Sequence, residues 1–126
     1  MVRPVTVVLT VRFFASEVGN EPVREWLKEL GARDKKTIGE DIKTVQIGWP
    51  LGMPLVRKMG TDLYEVRITL SNRIARVLFT VIGSQMVLLH GFIKKSQETP
   101  KDDLDVAGAR LKLLKQAERQ KAKRRG

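Results

Sequence analysis

Residues 55–95 read LVRKMGTDLYEVRITLSNRIARVLFTVIGSQMVLLHGFIKK. LYEVRITL, RIARVLFTVI and QMVLLHGFI are rich in β-branched and aromatic residues, the composition of strands. Ser71-Asn72 and Gly83-Ser84 separate them, and both dipeptides form tight turns because Asn and Gly tolerate positive φ. A two-residue loop at Ser71-Asn72 sets the register: Leu70 faces Arg73, Thr69 faces Ile74, Ile68 faces Ala75 and Arg67 faces Arg76. Tyr64, Val66, Ile68, Ala75, Val77 and Phe79 then form an apolar side, the core side. Glu65, Arg67, Thr69, Arg76 and Thr80 form a polar side, with Ile74 and Leu78 among them.

This register puts two arginines directly opposite each other. Like charges across a strand pair are destabilising, by up to roughly 1 kcal/mol. A phosphate shared between the two guanidinium groups would relieve the repulsion. Glu65 is close enough to partner either one, and basic residues on a solvated sheet face are ordinary, so the pairing alone leaves both readings open. A two-residue turn at Gly83-Ser84 pairs His90 with Val77 and points it to the core, as a hydrogen-bonded core residue. A bulge near Gly91 would turn it to the other face.

Working outward, GWPLGMP at residues 48–54 contains too many turn formers for a helix or a regular strand. It reads as an ordered connector pinned by Trp49, Leu51 and Met53, with Trp49 as an anchor rather than a stacking platform. A short strand LVRKM and a turn at Gly60-Thr61-Asp62 follow. Upstream, Asn20 as cap, Glu21 and Pro22 start a helix that buries Val23, Trp26, Leu27 and Leu30 and stops at Gly31. A second helix from about Arg33 to Ile47 carries Ile38, Ile42 and Val45 on its inner stripe. Val5 to Phe14 alternates as a covered strand. Downstream, Thr99-Pro100 with Asp102 and Asp103 opens a last helix, with Leu104, Ala107, Leu111 and Leu114 as its apolar stripe. The closing residues are almost all basic and lack large apolar side chains, the pattern of a frayed or exposed tail. Phosphate attraction is a second use for them.

The chain has 126 residues, enough for one domain, and no cysteine. With a single histidine as well, a dedicated transition-metal site is not expected, nor is a cofactor. The formal net charge of +10 favours a polyanionic partner such as nucleic acid, a ribosome or an acidic protein. The N-terminal apolar run is short and interrupted by Arg12, unlike a signal peptide, and no stretch is long enough to span a bilayer. A cytoplasmic location without membrane association is expected.

The order of one strand, a helical hairpin and antiparallel strands carrying LYEVR, RIARVLF and LLHGFIKK resembles the RelE/ParE toxin superfamily, and more narrowly its HigB-like, phage-derived branch. The LLHGFIKK segment followed by Thr-Pro is the most specific part. The similarity covers roughly residues 5–117. It implies an α+β, RelE-like fold: N-terminal strand, helical hairpin, antiparallel strands in a twisted sheet and a C-terminal helix. Residues 1–117 would be the toxin domain and residues 118–126 a basic C-terminal tail.

The resemblance further implies a small cytoplasmic toxin of a type II toxin–antitoxin pair. Its activity would be a metal-independent endoribonuclease cleaving mRNA, commonly on the ribosome. Its partner would be an antitoxin, often a helix-turn-helix protein. Arg67 and Arg76 match the family's phosphate and transition-state stabilisers. Lys94 and Lys95 match the basic pair closing the last strand, as substrate ligands or an acid or base. Arg57, Lys58 and Arg73 would contact mRNA or ribosomal RNA. His90, the only histidine, is a candidate general base because imidazole titrates near neutrality. Many superfamily members end in a tyrosine or histidine that serves the acid/base step; here no such residue follows His90, so acid and base stay unassigned. A non-catalytic basic binding protein is the competing reading, and gyrase inhibition, known in the ParE branch, a third.

Overall fold

A computed structural model describes residues 7–94 and 99–125. The elements in chain order are β1 (Thr10–Phe13), α1 (Pro22–Lys28), α2 (Ala32–Gly48), β2 (Val56–Gly60), β3 (Leu63–Thr69), β4 (Ile74–Ile82), β5 (Gln85–Lys94) and α3 (Lys101–Arg125). The fold is α+β. Five strands form one mixed sheet in the order β1-β5-β4-β3-β2, with β1 parallel to β5 and the other pairs antiparallel.

The β3–β4 register is the one the turn dictates. Arg67 pairs with Arg76, Ile68 with Ala75 and Thr69 with Ile74, and the Leu70 amide donates to the Arg73 carbonyl at 2.9 Å. The apolar side is covered by α1 and α2. Ile38, Ile42 and Val45 on α2 and Val23 on α1 are buried against Val66, Ile68, Ala75, Val77 and Phe79. Trp26 lies flat over Gly91, so close that a Cβ there would sit 2.4 Å from the indole ring. Trp49 anchors the connector, edge-on to Tyr64 at 4.9 Å and to Phe79 at 5.6 Å. Met53 does not pin it to the core and stays exposed.

The opposite face departs from expectation. Its polar residues are not on a solvated surface: Glu65, Arg76 and Thr80 are each 2% exposed or less. Leu63, Leu78, Val87 and Leu89 on that face supply enough apolar area to hold α3, which packs Ala107, Leu111 and Leu114 over them. Both faces of the sheet are therefore covered.

Smaller differences have local causes. The N-terminal strand is only four residues long. Just before it, Val7 and Val8 are exposed, and the amides of Val8 and Leu9 both donate to the Gln46 carbonyl on α2 instead of joining the sheet. Val5 and Thr6, the start of the expected strand, lie outside the described residues. Glu21 rather than Asn20 is the N-cap of α1, because Asn20 is tied into a loop with Ser16. Gly31 serves as N-cap of α2. The expected basic tail is helical, α3 running on to Arg125, though residues 119–124 are exposed.

β4 and β5 contain a bulge that the simple turn register missed. Leu78 pairs with His90 but Phe79 pairs with Leu88, so Leu89 is the extra residue. His90 thus lies opposite Leu78 and not Val77, and it points to the α3 face. Arg110 on α3 stabilises the irregularity by donating to the Leu89 carbonyl at 2.8 Å.

Among the described residues no helix is long and apolar enough to cross a membrane.

Candidate functional site

The strand register fixes the positions first. On the α3 face, rows of side chains run across β5, β4 and β3: Phe92, Arg76 and Arg67 in one row, His90, Leu78 and Glu65 in the next. Lys94 lies opposite Ile74, on the other side of the arginine row. α3 covers the Leu78 row and leaves the arginine row at the edge of its cover. There a cleft of about 340 Å³ opens, lined by Pro54, Leu55, Arg67, Thr69, Ile74 and Arg76. The connector forms its far lip, held by the Arg67 amide donating to the Leu55 carbonyl at 2.8 Å and by Arg67 Nη1 contacting Met53 Sδ at 3.4 Å.

The two arginines meet this cleft differently. Arg67 is half-buried and reaches its mouth. Arg76 is 2% exposed and lies at its floor, its Nε 3.4 Å from Glu65 Oε1 and its Nη1 donating to the Ala75 carbonyl. The Thr99 hydroxyl donates to the other Glu65 oxygen, which fixes the carboxylate from the α3 side. Burial lowers the Arg76 pKa, Glu65 pulls it back up, and neighbouring Arg67 lowers it further. The expectation of two guanidinium groups on an open surface therefore holds in half: they are side by side, but only Arg67 is at the surface. Arg76 is paired with Glu65, and the trio of Arg67, Arg76 and Glu65 carries a formal charge of one positive unit. Removing both arginines would leave Glu65 buried without its cation and so weaken the fold.

His90 makes two contacts. Its Nε2 is 2.6 Å from Asp103 Oδ1, and its Nδ1 is 3.3 Å from Arg110 Nη1. Arginine only donates, so Nδ1 accepts and the proton belongs on Nε2, facing the carboxylate. Both ring nitrogens are thereby engaged, and the ring stacks on Phe92 at 5.4 Å. This is a satisfied histidine that ties β5 to α3. Burial also lowers the Arg110 pKa.

The remaining candidates are spread out. Lys94 is 8% exposed on the cleft's face of the sheet. Lys95 lies outside the described residues. Arg57 is exposed and sits opposite Glu65, flanking the cleft from β2, while its neighbour Lys58 alternates to the other face. Arg73 is bound to Asp34 on α2, at the hairpin tip. Among the described residues, no three His, Asp or Glu side chains gather so as to hold a metal ion. Asp103 and Arg110 carried a signal that went unread. Seven residues apart, they fall on one helix face together with Ala107 and Leu114, where charge requires a partner.

The sequence model of the phage-derived Gp49-like proteins (DUF891) matches residues 25–112. The chain belongs to this family. The Gp49-like family is related to the RelE-type toxins of toxin–antitoxin systems, and the matched stretch contains both walls of the cleft, from α1 to the middle of α3. No curated protein matches the chain.

Proposed function

We propose that this Gp49-like protein is the toxin of a type II toxin–antitoxin pair, of the HigB-like branch. It would be a metal-independent endoribonuclease that cleaves mRNA on the ribosome in the cytoplasm, and a helix-turn-helix antitoxin would restrain it. The observation that carries this reading is the Arg67–Arg76 pair opening into one cleft. In such a cleavage the ribose 2′-hydroxyl attacks the adjacent phosphorus and the 5′-oxygen departs. Negative charge builds on the non-bridging oxygens, and fixed cations at that point lower the barrier. Arg67 at the mouth is placed to meet those oxygens with a two-pronged donor. Arg76 at the floor is held by Glu65, whose other carboxylate oxygen accepts from Thr99, and fixes the base of the cleft beneath Arg67. Lys94, with Lys95, would steer the strand, and Arg57 would meet a neighbouring phosphate. His90, with both nitrogens engaged, acts in this reading as a positioning residue for α3.

That engagement of His90 also favours a second reading. Without an evident base, the same cleft serves a protein that binds RNA or an acidic partner without cutting. Expression in a bacterium separates the two. A toxin of the proposed kind arrests growth and leaves transcripts with defined new ends, and Arg67→Ala restores growth. Harmless wild-type protein with intact transcripts would favour the binding reading.

A further inference from the structure

The last apolar side chain of α3 packed against the sheet is Leu114, yet the helix runs on to Arg125. At 1.5 Å per residue that is about 16 Å of helix beyond its hydrophobic anchor. After Asp105 the chain contains eight lysines and arginines and one acid, Glu118. Glu118 is 2.9 Å from Arg12 on β1 and Lys115 is 2.8 Å from Asp62 in the β2–β3 turn, so these two contacts tie the extension to the sheet, while Lys121 pairs with Glu118 within the helix at 3.8 Å. Lys112, Arg119 and Lys123 are different. They fall within about 40° of one another around the helix, about 120° round from the apolar stripe. All three are exposed, as are Gln116 and Gln120 between them. Among the described residues none of the three takes part in a salt bridge.

Helix-dipole compensation accounts only for cations in the last turn. Lys112 and Arg119 lie before it. Nor does the cleft use this surface: Arg76 and the end of β4 at Ile82 are six residues apart, about 20 Å along the strand, and α3 ends beyond the far side.

We propose that the outer face of the α3 extension, centred on Lys112, Arg119 and Lys123, is a second nucleic-acid surface that grips the phosphate backbone of duplex RNA. The stripe spans about 16 Å, long enough to meet several phosphates of one strand. A duplex fits better than a single strand because sequence-tolerant single-strand binding relies on aromatic stacking, and the chain has no aromatic residue after Phe92. The two glutamines add hydrogen-bond donors but no base-reading pattern, so the surface would be indifferent to sequence. The choice of RNA over DNA rests on the function proposed above; the duplex-backbone reading rests on the helix alone.

The test is the full chain titrated against a fluorescent 20-base-pair RNA duplex at several salt concentrations. The triple variant Lys112→Gln, Arg119→Gln, Lys123→Gln should bind at least tenfold more weakly at moderate salt. Its log K against log salt line should be shallower by about 2.7, the slope of three lost phosphate contacts. Its circular dichroism should be unchanged, and Lys36→Gln, which removes an exposed charge on α2, should shift duplex binding less than twofold. In cells the triple variant should keep the cut ends that Arg67→Ala loses, which separates failure of this surface from failure of the cleft. A triple variant that binds within twofold of wild type overturns the proposal. So does a triple variant that loses as much affinity for single-stranded RNA as for the duplex, or displacement of the duplex by polyglutamate at equal charge.

Discussion

Replacing Glu65 by Gln tests the buried end of the cleft without changing its shape. The amide keeps the volume of the carboxylate and can still accept from Thr99, but Arg76 loses its counter-charge. Arg76 is 2% exposed and has Arg67 directly across the strand pair. Removing one member of a buried ion pair typically costs about 3–5 kcal/mol. Arg76 borders the cleft and lies close to its opening, so the lower end applies, about 3 kcal/mol. For a chain of this length that corresponds to a fall in melting temperature of about 12 °C. The repulsion from Arg67 should then be visible as coupling. Arg67→Gln in the Glu65→Gln background should recover up to about 1 kcal/mol, while Arg67→Gln alone should change stability little. Urea unfolding of the four proteins in the cycle gives each value. A Glu65→Gln variant melting within 2 °C of wild type, or no recovery on removing Arg67, would show that Glu65 does not balance the arginine pair.

Other outcomes follow from single contacts. Gly91→Ala puts a Cβ 2.4 Å from the Trp26 ring; the overpacking should cost about 1–3 kcal/mol in chemical denaturation. Arg110→Met strips the Leu89 carbonyl and His90 Nδ1 of their donor, and should cost about 1–3 kcal/mol and speed hydrogen exchange in β5 around the bulge. Lys115→Met should lower stability slightly at neutral pH. The hydrogen bond and charge of Lys115 hold the Asp62 carboxyl below its ordinary value of 3.8, so the stabilisation exists above that value and disappears as pH falls through the lower folded one. The gap between variant and wild type should therefore close in acid.

The strands and their β3–β4 register were legible because period-two patterning and a two-residue turn leave one solution. The helices were legible because their apolar residues recur on one face. What was hidden depended on contacts distant in sequence. Glu65, Arg76 and Thr80 look like a solvated face until α3 is laid over them; the clue was Leu78, an apolar residue in a polar row, and a stripe on α3 in need of a surface. The Leu89 bulge was hidden because nothing local to QMVLLHGFI distinguishes it from an even strand, and the residue that supports it, Arg110, comes from another element. One slip of register moved His90 from the core side to the α3 face. The cleft itself depends on the 48–54 connector, whose path no periodicity describes. The opposition of Arg67 and Arg76 was readable, as was Glu65 as a partner for either; that it takes Arg76, and that Arg76 is buried while Arg67 reaches the mouth, was not.

In the proposed reaction Arg67 at the mouth of the cleft, beside a buried Arg76 paired with Glu65, meets the phosphate at which RNA is cut. The most direct measurement is the rate of mRNA cleavage by purified protein on programmed ribosomes, wild type against Arg67→Ala, with folding of the variant verified by its unfolding curve. Loss of a preorganised charge-stabilising donor predicts a rate lower by about 10²–10³-fold with the cut positions unchanged. A folded Arg67→Ala protein that cuts at the wild-type rate would contradict the account.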